Sequence, residues 1–205
     1  RVKETIEVKT LDGLQARVAK GLNKGRIAFI FDDDAITFSW DKRQVYYVKL
    51  FRDMLDGGLD YYEVLKALEP ILKAREIGKI VHDGKKLLLE ASKLNIELNN
   101  LSFDTFIAAY LLDPTHTRYD VKYLLHEYLG IEVDIVDAAD LLLLAHDLKK
   151  RLEEVGMDDL YNEVEHPLIQ VLADMELAGF KVNGEILREL DVEFTAILEG
   201  LTKRD

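Results

Sequence analysis

Three β-rich runs follow one another almost without a break: "RIAFIF" (Arg26–Phe31), "AITFSW" (35–40) and "QVYYVKL" (44–50). Only "DDD" and "DKR" separate them, and tight Asp-rich connections of this kind join antiparallel neighbours. The chain must therefore build an antiparallel meander early and cover it with whatever follows. Around the meander the pattern alternates. "TIEVKT" (5–10) reads as a strand, and "LDGLQARVAKGL" as an amphipathic helix ending near Gly21. "LDYYEVLKALEPILKAR" returns as a helix, "KIV" (79–81) is a short strand, and "GKKLLLEASKLN" is a helix.

From Ser102 onward the pattern is nearly all helical. In "SFDTFIAAYLLDP", Phe103, Phe106, Ile107, Tyr110 and Leu111 would share one helix face. "DVKYLLHEYLG" has Asp120 as its expected N-cap and Gly130 as its stop. Leu141, Leu144, Leu148 and Leu152 form a stripe along a further helix. Pro167 must kink or restart the next one, and Gly179 closes it. A last amphipathic helix is expected over 184–201, with Ile186, Leu190, Phe194, Ile197 and Leu201 on one side. The order predicts an α/β fold, a mixed β-sheet flanked by helices, with a helical C-terminal extension. The ribonuclease H-like architecture is one such fold.

Composition narrows the function classes. The 205 residues carry a net charge of −12, and basic residues such as Lys149, Lys150 and Arg151 are interleaved with acids. Phosphate contacts need Lys and Arg gathered on one face, so weak or no nucleic-acid binding is expected of this chain alone. With no Cys there is no disulfide framework and no thiolate metal site. No apolar run approaches the roughly 18–20 residues that span a bilayer, and "RVKETIEVKT" has no signal core. A cytoplasmic monomer with no membrane partner is the expectation.

One long segment is specific. "IVHDGKKLLLEASKLNIELNNLSFDTFIAAYLLDPTHTRYDVKYLLHEYLG" resembles the 3′–5′ exonuclease domain of bacterial DNA polymerase I, a family A DNA polymerase. "EHPLIQVLADMELAGFKVN" is similar to the segment that opens the polymerase domain in that family. The resemblance implies an exonuclease-like domain over residues 1–160. It implies a helical connection and the start of a polymerase domain over 161–205. A polymerase domain would follow residue 205, and DNA and Mg²⁺ would be the partner and cofactor of that parent enzyme, a nucleotidyltransferase.

The family's exonuclease uses three carboxylate motifs to hold two metal ions, which clamp the attacking water and the leaving oxygen. Its first motif, Asp-x-Glu at a strand end, finds Asp32 and Asp34, which a hairpin turn explains equally well. Its second, Asn-x3-Asp, aligns on "NIEL" and "FDT" to put Asp83 at the Asn and Leu87 at the metal-binding Asp. Leucine cannot coordinate a metal. Asp83 lies about 6 Å along the helix from that position and suits an N-cap. The third, Tyr-x3-Asp, falls in "VDIVDAADLLLL", which has Asp134, Asp137 and Asp140 but no Tyr, and puts Ala138 at the Asp. Tyr161-x3-Glu165 has the spacing but lies too close to "HPL", and reads as connecting helix. Asp104 in "FDT" reads as an N-cap.

The expectation is a degenerate exonuclease domain that retains Asp32, Asp34, Asp83, Leu87 and Ala138 as vestigial positions. It would hold no metal or cofactor and would support DNA-templated DNA synthesis architecturally. Two alternatives stand beside it. One is an active two-metal nuclease, proofreading or of ribonuclease D type, with Asp32, Asp34, Asp83, Asp137 and Asp140 as ligands. The other is an interaction module drifted from any nuclease.

Overall fold

The computed structural model describes residues 3–51 and 57–179. Strand β1 (Glu4–Glu7) leads into helix α1 (Leu11–Gly21), which Thr10 caps by accepting from the Gly13 N–H. The meander follows as β2 (Arg26–Phe31), β3 (Ala35–Asp41) and β4 (Gln44–Lys49), paired antiparallel. Then come α2 (Tyr61–Lys73), β5 (Gly78–Val81) and α3 (Gly84–Lys93). Strand β6 (Leu101–Asp104) runs straight into α4 (Thr105–Leu112). Helices α5 (Val121–Leu129), α6 (Ala138–Glu154), α7 (Asp158–Leu160) and α8 (His166–Ala178) complete the described part.

The strands form one sheet in the order β1-β4-β3-β2-β5-β6. Strands β1 and β4, β2 and β5, and β5 and β6 pair in parallel, so the sheet is mixed, as the element order predicts. Alternation along β2 sorts its side chains between two cores. Ile27 and Phe29 join Leu14, Val18, Leu65, Leu68 and Ile71 of α1 and α2. Ala28 joins Leu124, Leu141, Leu144 and Leu148 of α5 and α6. The leucine stripe of α6, with Leu152, is fully buried, because its spacing keeps all four residues over the sheet.

One segment differs from the helical reading of 102–114. Leu101–Asp104 is extended, since parallel pairing with β5 (Ile80 beside Phe103, Val81 beside Asp104) outweighs any local helix preference. The helix begins only at Thr105, and its buried side is Ala108 and Ala109, with Tyr110 half exposed. Asp120 and Gly130 bound α5 as expected, Gly130 with φ +63°. The irregularity expected at Pro167 takes the form of one π-helical stretch, Tyr161–Glu165, just before it. Proline removes an N–H and its ring crowds the carbonyl four residues back, and a widened turn relieves both. Gly179, at φ +66°, ends α8.

The chain divides into two compact units, 1–173 and 174–205. Residues 161–173 belong to the first, where Tyr161, Ile169 and Ala173 are buried. Of the second, only the end of α8 and Gly179 are described. The helix expected over 184–201 lies outside the described residues. No described helix is long and apolar enough to cross a membrane.

Lys79 of β5 is fully buried and donates to the Ala74 carbonyl at the end of α2. Burial lowers its ammonium from an ordinary 10.5 to about 8. Between those values the unfolded chain carries the Lys79 proton more than the folded one does, so the Lys79 contribution to stability should rise with pH from about 8 to about 10.5. The expected gain is about 1–3 kcal/mol. The urea midpoint of the native chain relative to Lys79→Met should show the rise, since the buried tyrosines, raised above 10, act in the opposite direction toward the upper end of the range in both chains.

Candidate functional site

Strands β2, β5 and β6 run in the same direction, so their C-terminal ends meet at one edge of the sheet. All chemistry-bearing positions of the first two motifs gather there. Asp32 and Asp34 sit in the β2–β3 turn, exposed to solvent. The turn is closed by the Asp32 N–H on the Ala35 carbonyl, and the Asp32 carboxylate accepts from the Asp33 N–H at 2.7 Å. This is the local bonding that makes Asp a turn former.

At the end of β5, Asp83 takes a left-handed conformation with φ +65° and caps α3, its carboxylate accepting from the Lys86 N–H at 3.3 Å. Leu87 lies one turn further on and is 3% exposed, packed in the core with the α1 and α2 side chains. The residue that the sequence alignment sets at the second motif's Asp therefore faces apolar packing.

Asp104 is the centre of the edge. Its carboxylate accepts from the N–H groups of Phe106 and Ile107, capping α4. It also accepts from Asp83 at 3.2 Å and Gly84 at 2.6 Å, across the β5–α3 turn. A Cβ at Gly84 would lie 2.5 Å from a Leu101 methyl, which would have to move aside, and 3.1 Å from the Asp104 oxygen. The Asp104 N–H donates to the Tyr161 hydroxyl at 2.7 Å. His82 Nδ1 bonds Thr105 Oγ1 at 2.8 Å, and that hydroxyl reaches the Val81 carbonyl. The cap role of Asp104 is legible from "FDT". Its bonds to the β5–α3 turn, and the Tyr161 partner 57 residues away, are not.

Burial pushes His82 below its ordinary range, against the opposing pull of Asp104, Asp83 and Asp120. Burial lowers His166 likewise, and its Nε2 has no partner. Both imidazoles are held neutral. A folded pKa below the unfolded 6.5 means that stability is full above pH 6.5 and is lost as pH falls through the folded values. Thermal melts from pH 7.5 downward should show the decline beginning near 6.5, shallower in His82→Gln.

The third window lies apart from these bonds. Asp137 caps α6 in a capping box with Asp140, and the Ala138 N–H donates to Thr37 Oγ1 on β3. Lys3, from the segment before β1, contacts Asp137 at 2.6 Å and both oxygens of Asp140 at 2.8 Å. Asp134 is exposed. Nothing in the sequence pattern marks Lys3 as their partner.

Mg²⁺ demands hard oxygens converging at about 2.0–2.1 Å. This donor set does not fit it. Leu87 supplies no oxygen, Asp83 and Asp104 are committed to backbone N–H groups, and Asp137 and Asp140 hold a lysine ammonium. Among the described residues, no three of His, Asp and Glu form a group that could hold a metal ion.

Comparison with known proteins agrees with the fold. The family model for the DNA polymerase I ribonuclease H-like domain matches residues 33–139. DNA polymerase I of Chloroflexus aurantiacus is 31% identical over 169 residues, which cover 69% of this chain and 18% of that protein. The chain thus spans less than a fifth of that relative's length. Among solved structures, the POL domain of Pol1 from M. smegmatis, in complex with DNA primer-template and dNTP, matches with a TM-score of 0.74 and 24% identity. That match covers 93% of this chain and 35% of the other. RNase D of Trypanosoma brucei matches with a TM-score of 0.54 and 15% identity, covering 71% of this chain and 64% of its own. At these identities the structural likeness speaks for the fold alone.

Proposed function

The chain belongs to the DNA polymerase I family of ribonuclease H-like domains, and from that premise we propose that it is an exonuclease scaffold without hydrolytic activity. Its role is architectural: it supports DNA synthesis by a polymerase domain of the same protein. DNA reaches it through that parent enzyme, and Mg²⁺ serves the parent's nucleotidyl transfer.

The observation that carries this reading is Leu87. Two-metal hydrolysis needs every carboxylate of the clamp to place the attacking water and stabilise the leaving oxygen. Here the second-motif position is an apolar side chain sealed into the core. The lysine on Asp137 and Asp140 supports the same conclusion, since an ammonium already neutralises those carboxylates.

The test is direct. The chain is incubated with 5′-labelled single-stranded DNA and single-stranded RNA in Mg²⁺ or Mn²⁺. No shortening above a buffer blank is expected. Stepwise 3′ loss that EDTA stops and Asp32→Ala/Asp34→Ala abolishes would establish the nuclease alternative instead, with the RNA lane identifying a ribonuclease D-like preference.

A further inference from the structure

Beside the Asp32 turn lies a cleft of about 210 Å³. Its walls include the rings of Phe31, Phe51 and Tyr61, and its polar groups are Asp32, Asp33, Glu90 and Lys86. Phe51 is 49% exposed, an aromatic side chain only half covered. We propose that this cleft binds an alkylated organic cation, a guanidinium or ammonium group on a short hydrocarbon stem, and turns single-stranded DNA away. The inference rests on the reading that no catalytic metal works here.

Three carboxylates against one ammonium give the cleft a negative field. With no divalent ion between them, a phosphate meets that field as repulsion, while a cation meets it as attraction. The aromatic walls add what a bare acidic patch lacks. The faces of Phe and Tyr rings attract a cation, most strongly one that sheds water easily, and their apolar surface accepts a hydrocarbon stem. Small inorganic ions gain nothing from those walls. Tyr61 donates to Glu90 Oε2, which fixes that carboxylate in place. Asp33 of the β2–β3 turn and Glu90 of α3 line the same cleft. Size selects further. The volume is below the roughly 300–1,000 Å³ of sites that enclose drug-sized ligands, which suits a group the size of an arginine side chain.

Such a group can come from a free amine or from a side chain of a polypeptide, and two probes separate them. The whole chain is titrated in EDTA with agmatine, and in parallel with acetyl-Ala-Arg-Ala-amide, by calorimetry and NMR. Saturable one-to-one binding of at least one probe is expected, weakened about tenfold in Phe51→Ala and in Asp32→Asn/Asp33→Asn. Tighter binding of the peptide assigns a polypeptide source, and equal or weaker binding assigns a free amine. Because these residues are exposed or line the rim, an unchanged melting temperature will confirm that both variants fold. The proposal is overturned if neither probe saturates, or if a distant Asp158→Asn change weakens binding as much. It is equally overturned if oligo-dT displaces the probe. A silent nuclease with no cation binding sinks this inference alone, whereas metal-dependent nuclease activity sinks the preceding reading.

Discussion

Asp104→Ala is expected to destabilise the domain by about 3–5 kcal/mol, the range seen when one partner of a buried charged network is removed. The side chain is 1% exposed and accepts four backbone N–H groups at the starts of two helices, α3 and α4. Alanine leaves all four donors without an acceptor in a place that water cannot easily reach. Each such orphan costs about 1–3 kcal/mol if nothing relaxes, and partial relaxation brings the sum into the stated range. Asp104→Asn sharpens the test. Its amide nitrogen would face the Gly84 N–H or the group at Phe106, a donor against a donor, so the loss should remain above about 1.5 kcal/mol. Urea unfolding reads both, as a lowered midpoint at unchanged slope. A loss below 1 kcal/mol for alanine would mean that the hub is solvated and does not hold the β5–α3 and β6–α4 junctions together.

Leu87→Asp, which restores the residue type that the second exonuclease motif calls for, should cost about 4–6 kcal/mol and restore no activity. Removing the leucine forfeits the transfer energy and packing of a buried side chain, worth about 2–5 kcal/mol on truncation alone. A carboxylate in the same place must also be desolvated or protonated. Leu87→Ala isolates the first contribution, and Leu87→Met should cost less than about 1.5 kcal/mol. A second measurement separates packing from chemistry. A ligand that binds only the native state raises stability by about 2.7 kcal/mol at a hundredfold excess over its Kd. If Leu87→Asp folds with native stability and gains that rise in millimolar Mg²⁺, the position opens onto a metal site and the architectural reading fails.

The two variants probe one edge of the sheet, where hydrogen bonds hold the carboxylates. In the resembled family, the ends of these strands present carboxylates to metal ions. Here the carboxylates at the same edge cap helices, close a turn, or bond across to a neighbouring loop. The partners of these acids are backbone N–H groups. Lys3 is the partial exception, an ammonium held where the third-motif window begins α6.

Much of the architecture was legible in the residues because its causes are local. Tight Asp-rich turns fix antiparallel neighbours, so the meander from Arg26 to Lys49 could be read directly. Caps and stops act over three or four residues, which is why Asp83, Asp104, Asp120, Gly130 and Gly179 announce themselves. The leucine stripe of α6 is a period, and periods survive any tertiary context that offers one apolar face. Leu87 could be read only as a residue with no oxygen to give, and its burial among α1 and α2 side chains came from the fold. What the tertiary structure decided is whatever depends on a partner distant in the chain. Strand β6 is extended only because β5 lies beside it, and its own four residues carry no preference strong enough to say so. Tyr161 reaches Asp104 across 57 residues, Lys3 reaches Asp140 across 137, and the cleft draws its walls from β2, the end of β4, α2 and α3. Local propensities are set by neighbours within a turn, whereas these contacts exist only after the sheet has brought separate segments to a common edge.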